Sequence, residues 1–81
     1  PFNPETMIWF DVAEKTDVAV SVYNVLGQKV STLLYGTMDA GIYQVEWKGL
    51  MDSGEQLPSG LYFYELKSPL FNSVKKMVLV R

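Results

Sequence analysis

The stretch VAVSVY at residues 18–23 decides the fold class, because valine occupies every second position. An apolar residue at period two is typical of a β-strand that buries one face and exposes the other. The next residues, NVLG at 24–27, have the composition of a tight turn, since asparagine initiates turns and glycine accepts a positive φ. The two stretches together predict a strand that ends in a turn.

Similar strand and turn patterns recur on both sides of this stretch. Further candidate strands lie at residues 6–12, 28–34, 42–47, 61–67 and 74–80. Polar or glycine-containing links separate them, including a link bracketed by Gly36 and Gly41 and a loop over residues 49–60. No glycine falls inside a candidate strand. This spacing predicts an all-β, Ig-like antiparallel β-sandwich of about seven strands.

The aromatic residues divide between a predicted core and a predicted surface. Alternation places Tyr43 and Trp47 on one strand face and Tyr62 and Tyr64 on another, so these four side chains are expected to pack in the core. Other large apolar side chains point away from it. A candidate exposed contact patch is formed by Met7, Trp9, Tyr35 and Phe63.

Composition narrows the function classes. The chain of 81 residues has room for one domain, predicted over residues 1–81, and contains no cysteine and no histidine. The commonest general base and the commonest metal ligand are therefore absent, and we expect no catalysis and no cofactor. A net charge of −2 argues against a nucleic-acid partner.

Two features concern processing. No apolar run is long enough to cross a membrane, so direct membrane insertion is not expected. The chain begins with Pro1 rather than methionine. We therefore expect it to be a piece excised from a longer parent protein.

The loop at residues 48–55 is a candidate calcium site. Asp52, Ser53 and Glu55 supply hard oxygen atoms, which Ca²⁺ prefers. Lys48 at the start of the loop competes with a cation, so an ordinary turn is the favoured interpretation. The sequence leaves calcium binding open, and no metal ligand is assigned.

Basic residues are concentrated at the end of the sequence. Three of the seven, Lys75, Lys76 and Arg81, fall in the last seven positions. Lysine on an edge strand discourages pairing between sheets, which is its usual role. The functional alternative is a basic strand that a receptor contacts by adding a strand of its own.

Five blocks carry a resemblance to a known family: PFNPET, VYNVLGQKV, AGIYQVEWKG, SGLYFYEL and KKMVLVR. In this order and spacing they resemble the type A C-terminal sorting domain of type IX secretion. The sequence is also similar to the Ig-like domain of the flagellar hook-capping protein, which shares the style of the tryptophan and glycine–x–tyrosine blocks. Lys48 departs from the sorting family, which often has aspartate after this tryptophan.

The sorting resemblance implies a module that directs a parent protein through the outer membrane. Its implied partners are the secretion translocon, a cell-surface sortase-like peptidase and an upstream cargo domain of the same chain. The implied location is the cell surface or the extracellular medium, reached through the periplasm. The matching residues are Pro1, Asn3 and Pro4 in the opening, Gly60 and Tyr62 in the glycine block, and Lys76, Met77, Val78 and Arg81 in the basic strand.

Two other functions stay open. One is a carbohydrate-binding or adhesive accessory domain, with Trp9, Tyr35 and Phe63 as contact residues. The other is a structural Ig-like spacer in a flagellar or surface assembly.

Overall fold

The computed structural model describes residues 6–81, which form an all-β domain. Its strands are β1 (Thr6–Val12), β2 (Thr16–Tyr23), β3 (Lys29–Met38), β4 (Gly41–Trp47), β5 (Gly60–Lys67) and β6 (Asn72–Leu79). The described residues thus contain six strands, fewer than the predicted number of about seven. The predicted all-β fold class is confirmed for the described residues.

The strands form two antiparallel sheets. One is four-stranded with the order β3-β2-β5-β6, and the other pairs β1 with β4. The pairing of β1 with β4 runs from Thr6 opposite Trp47 to Val12 opposite Gly41. Val18, Val20 and Val22 of β2 lie between the two sheets, so the valines of the VAVSVY stretch are core residues.

The core divides into two clusters along the sandwich. The first core cluster is aliphatic with one phenylalanine, and consists of Ile8, Phe10, Val12, Val18, Val20 and Leu66. The second core cluster contains the larger aromatic residues, and consists of Val22, Val30, Trp47, Tyr62, Met77 and Leu79. Leu33 and Tyr64 contact both clusters, which are therefore continuous.

The prediction for β3 was wrong in its end and in the role of Gly36. The strand continues to Met38 and includes Gly36, which lies opposite Val18. The link between β3 and β4 is therefore only Asp39 and Ala40. Pairing with β2 supplies the neighbours that hold a glycine in an extended strand, which local composition does not reveal.

The turn after β2 agrees with its sequence. Asn24 Oδ1 accepts hydrogen bonds from the backbone N–H of Leu26 and of Gln28, at 2.9 and 3.0 Å. Gly27 has a φ of 79°, which a side chain disfavours. The turn is fixed by its own side chain, and β2 and β3 form a hairpin across it.

Candidate functional site

Strand β6 lies at the edge of the four-stranded sheet. It pairs with β5 from Gly60 opposite Leu79 to Lys67 opposite Asn72, and no other described strand pairs with it. Within the described residues, the backbone N–H and C=O groups on the far side of β6 therefore have no partner strand. An unpaired edge is the part of a sheet that an extended partner can extend.

The predicted recognition residues of β6 separate by face. Lys75, Lys76 and Val78 are exposed, whereas Met77 is buried in the second core cluster. Lys75 lies opposite Tyr64 and Lys76 opposite Phe63, so the two ammonium groups leave β6 on different faces. The structure thus brings positive charge to both faces of one edge strand and gives Met77 a packing role.

Gly60 and Tyr62 begin β5. Gly60 has a φ of 155°, which side chains disfavour. The Tyr62 ring packs against Trp47 in an edge-to-face contact with 5.2 Å between ring centroids. Its hydroxyl donates to the Pro58 carbonyl at 2.7 Å. The tyrosine of this glycine–x–tyrosine block is therefore part of the second core cluster, and its side chain is not accessible to a partner.

Arg81 contacts the loop between β4 and β5 instead of pointing freely into solvent. Its guanidinium donates to the carbonyls of Gly49 and Leu57, and its backbone N–H donates to Ser59 Oγ at 2.9 Å. Leu57 N–H also donates to the Gly49 carbonyl at 3.0 Å. The side chain predicted as part of a basic recognition strand therefore holds both ends of loop 49–57 together.

Gly49 is essential to this contact, and sequence reasoning missed it. Its φ is 74°, and a Cβ atom there would lie 2.8 Å from Arg81 Nη2 and 2.9 Å from Leu79 Cδ1. Both the backbone conformation and the packing thus require glycine. The only local signal was its place after Trp47-Lys48, which does not show that residues 79 and 81 fold over it.

Asp52 ties the same loop to strand β3. Its Oδ1 accepts from Ser31 Oγ at 3.2 Å and from Thr32 N–H at 3.0 Å, while Asp52 N–H donates to the Val30 carbonyl at 3.1 Å. Within residues 6–81, no three acidic side chains lie close enough together to hold a metal ion. The carboxylate considered for calcium therefore has a structural role in joining the loop to a sheet edge.

The four residues of the candidate contact patch do not form one surface. Met7 and Trp9 lie on the outer face of the β1–β4 sheet, where Trp9 is 63% exposed. Tyr35 and Phe63 lie on the outer face of the four-stranded sheet, on the other side of the sandwich. The alternation of apolar and polar residues correctly predicted that these four side chains point away from the core. It does not show which of the two sheets each strand joins, so it could not show that the four residues are apart.

The outer face of the four-stranded sheet also holds a tyrosine–carboxylate pair. Tyr23 Oη donates to Glu65 Oε1 at 3.1 Å. Burial raises the pKa of Tyr23 above its usual value of 10.0, and the hydrogen bond to Glu65 and the negative charge of that residue raise it further. The phenol therefore stays protonated and acts as a donor.

Pro1, Asn3 and Pro4, which the resemblance implies as part of the sorting sequence, lie outside the residues that the structure describes. Across residues 6–81 there is no helix of the length and apolarity needed to cross a membrane.

Two antiparallel sheets around a shared apolar core define an immunoglobulin-like β-sandwich domain. The family model of the FlgD Ig-like domain matches residues 6–69, and the chain belongs to this family. The match spans β1 to β5 and stops before β6. No curated protein and no solved structure gives a significant match. The finer resemblance to type IX sorting domains stays a prediction.

Proposed function

We propose that this Ig-like domain is a non-catalytic sorting module that directs its parent protein through the outer-membrane type IX secretion system. The supporting observation is the edge strand β6, which has an unpaired side among the described residues and carries Lys75 and Lys76 on opposite faces. The five sequence blocks that resemble the sorting family support the same function. A chain without histidine or cysteine suits a recognition role better than catalysis.

The proposed mechanism is strand addition to β6. An extended segment of the translocon would pair with the open backbone groups of β6, and main-chain hydrogen bonds would supply affinity. Lys75 and Lys76 would select a partner with acidic side chains along both faces of the added strand. Val78, which is 63% exposed, would add an apolar contact on the outer face.

The proposed partners follow from this role. The translocon would bind β6, a cell-surface sortase-like peptidase would remove the domain, and the upstream cargo would belong to the same chain. The proposed destination is the cell surface or the medium, reached through the periplasm.

The experiment fuses residues 1–81 to a periplasmic reporter in a host with a working type IX system. The test variant is the double substitution Lys75→Glu/Lys76→Glu, and the control is Lys15→Glu/Lys48→Glu. All four side chains are exposed, and both variants change the net charge equally. Deleting β6 is a poor test, because it removes the buried residues Met77 and Leu79 and with them part of the core.

The expected result is surface delivery of the wild type and the control, with the β6 variant retained in the periplasm. Circular dichroism of the purified domains checks that both variants are folded. Equal delivery by the β6 variant would overturn the role of this edge. Retention of the wild-type fusion would overturn sorting altogether.

A second candidate is a structural Ig-like domain in a flagellar or surface assembly, and the FlgD family match favours it. The same fusion separates the two, because a spacer carries no delivery signal. Assembly of the parent protein at the surface of a host lacking the type IX system would support the spacer.

A further inference from the structure

A trough crosses the outer face of the four-stranded sheet, away from strand β6. Its floor is Ala19 and Ser21 on the central strand β2, and its volume is about 690 Å³. We call it the β2 trough and define it by Ala19, Ser21, Lys29, Thr32, Tyr35 and Lys67, which all line it. A volume of this size is within the range of small-molecule sites, which is roughly 300–1,000 Å³.

Strand register explains why the surface is concave here. Ala19 lies opposite Tyr35 on β3 and opposite Lys67 on β5, so one row across the sheet places a methyl group between two long side chains. In the next row, Ser21 lies opposite Thr32 and Glu65. Small residues on the middle strand therefore leave a channel between taller walls.

One wall carries an open aromatic ring. Tyr35 is 85% exposed and contributes little to the core, so packing does not account for its position. An exposed aromatic face next to a shallow floor can receive the apolar C–H face of a sugar ring. Thr32 is exposed, and its hydroxyl can donate to and accept from sugar hydroxyl groups, as orientation-fixing polar groups do in ligand sites. Ser21 is only 4% exposed, so it contributes the floor of the trough and not a ligand-binding hydroxyl.

The charges at the trough favour an anion. Lys29 and Lys67 line it from opposite sides, and neither has a carboxylate within ion-pair distance among residues 6–81. Asp17 also lines the trough, but its Oδ1 accepts a 2.6 Å hydrogen bond from Thr37 Oγ1.

Glu65, opposite Ser21 in the neighbouring row, does not line the trough and accepts a hydrogen bond from the Tyr23 hydroxyl. The Lys29 ammonium lies 6.0 Å from the centroid of the Tyr23 ring. The charged residues that line the trough itself are therefore two lysines and one aspartate, a local balance that favours an anion.

We propose that the β2 trough binds an acidic saccharide, with one sugar ring stacked on Tyr35 and its carboxylates between Lys29 and Lys67. This site is separate from the β6 edge, so it goes beyond the sorting role and can succeed or fail independently of it. Trough binding would give the domain a contact with acidic polysaccharide in addition to any protein partner.

The test is a titration of the ¹⁵N-labelled domain, residues 1–81, followed by amide chemical shifts. The probe is trigalacturonic acid, and the matched control ligand is its methyl ester, which has the same rings without the charge. A short oligoglutamate peptide represents an acidic protein partner. Tryptophan fluorescence would not report on this site, because Trp9 lies on the opposite sheet and Trp47 is buried.

Three variants accompany the wild type. Tyr35→Ala removes the stacking surface, and Lys29→Gln/Lys67→Gln removes the charge. Trp9→Ala removes an exposed aromatic residue from the other sheet and serves as the control.

The expected dissociation constant for the acid is on the order of 1 mM, with shifts concentrated on β2, β3 and β5 around Ala19 and Ser21. Tyr35→Ala and the double lysine variant should each weaken binding about tenfold, while Trp9→Ala leaves it unchanged. Binding of the methyl ester or of oligoglutamate as strong as that of the acid overturns the proposal. So do shifts located outside the trough, an unaffected Tyr35→Ala variant, or no shift at about 10 mM acid.

Discussion

The two core clusters are built in different ways. The first consists of alternating strand residues such as Ile8, Phe10 and Val20, with no polar group among them. The second contains Trp47 and Tyr62, whose polar atoms need partners inside the fold. Trp47 Nε1 donates to the Leu50 carbonyl at 3.1 Å, and the Tyr62 hydroxyl donates to Pro58.

This difference makes the second cluster dependent on loop 49–57. Both hydrogen-bond acceptors lie in or next to that loop, whose ends Arg81 holds together. The buried residues of the first cluster are specified by strand periodicity, and changes in loop 49–57 should leave them intact. The second is specified by periodicity together with one loop conformation, so loop changes should reach it.

The largest expected effect is at the centre of the second core cluster. Trp47 is 1% exposed, and Trp47→Ala should lower the free energy of unfolding by about 3–5 kcal/mol. Trp9→Ala is the matched control, since Trp9 is 63% exposed and should cost less than about 1 kcal/mol. Urea unfolding followed by circular dichroism measures both. Equal losses would contradict the assignment of the two tryptophans to core and surface.

The next effect tests the loop backbone. Gly49→Ala combines a disfavoured φ with contacts to Leu79 and Arg81, and should cost about 2–4 kcal/mol. Gly54→Ala is matched, because Gly54 has a φ of 91° but nothing within 4 Å of the added Cβ. It should cost about 1–2 kcal/mol, from backbone strain alone. Thermal unfolding gives both values, and a smaller loss at Gly49 than at Gly54 would refute the packing argument.

A smaller effect separates the contact of Arg81 from its charge. Arg81→Met removes the hydrogen bonds to the Gly49 and Leu57 carbonyls and should cost about 1–2 kcal/mol. Hydrogen exchange of the Leu57 amide should become faster, while amides of the first cluster stay protected. Lys76→Met removes the same charge from an exposed position on β6 and should change neither quantity. A matching response in the two variants would mean that Arg81 acts through its charge alone.

The smallest effect lies outside both clusters. Because the pKa of Tyr23 is raised in the folded state, its contribution to stability is fully present below pH 10 and is lost as pH rises through the folded pKa. Tyr23→Phe should change stability at pH 7 by less than about 1 kcal/mol and should flatten the alkaline decline. Urea unfolding between neutral pH and pH 11 measures the slope. An unchanged slope would show that other groups cause the decline.

The sequence predicted the parts of the fold that depend on local pattern. Alternation placed Val18, Val20 and Val22 on the core face and Trp9 on the outer face, and both predictions are confirmed. Turn chemistry identified the turn that begins at Asn24. These features are local because each depends on residues within a few positions of one another.

The features that escaped prediction depend on contacts between distant residues. Gly36 lies in a strand because β2 pairs with it, and Tyr35 and Trp9 lie on opposite sides because their strands join different sheets. The Arg81 contact spans more than twenty residues to Leu57 and more than thirty to Gly49. No window on the sequence contains both partners, so periodicity and turn rules could not reveal them.

The composition of the second core cluster also determines when the domain can become compact. Val22 comes from an early strand, whereas Met77 and Leu79 come from the last described one. A nascent chain leaves the ribosome with its N-terminus first, so Met77 and Leu79 emerge after the other residues of the second core cluster. The first core cluster can pack once residues 8–66 have left the ribosome, but the second core cluster, around Trp47, is incomplete until β6 has also emerged. The domain therefore completes its folding only after β6 has been translated.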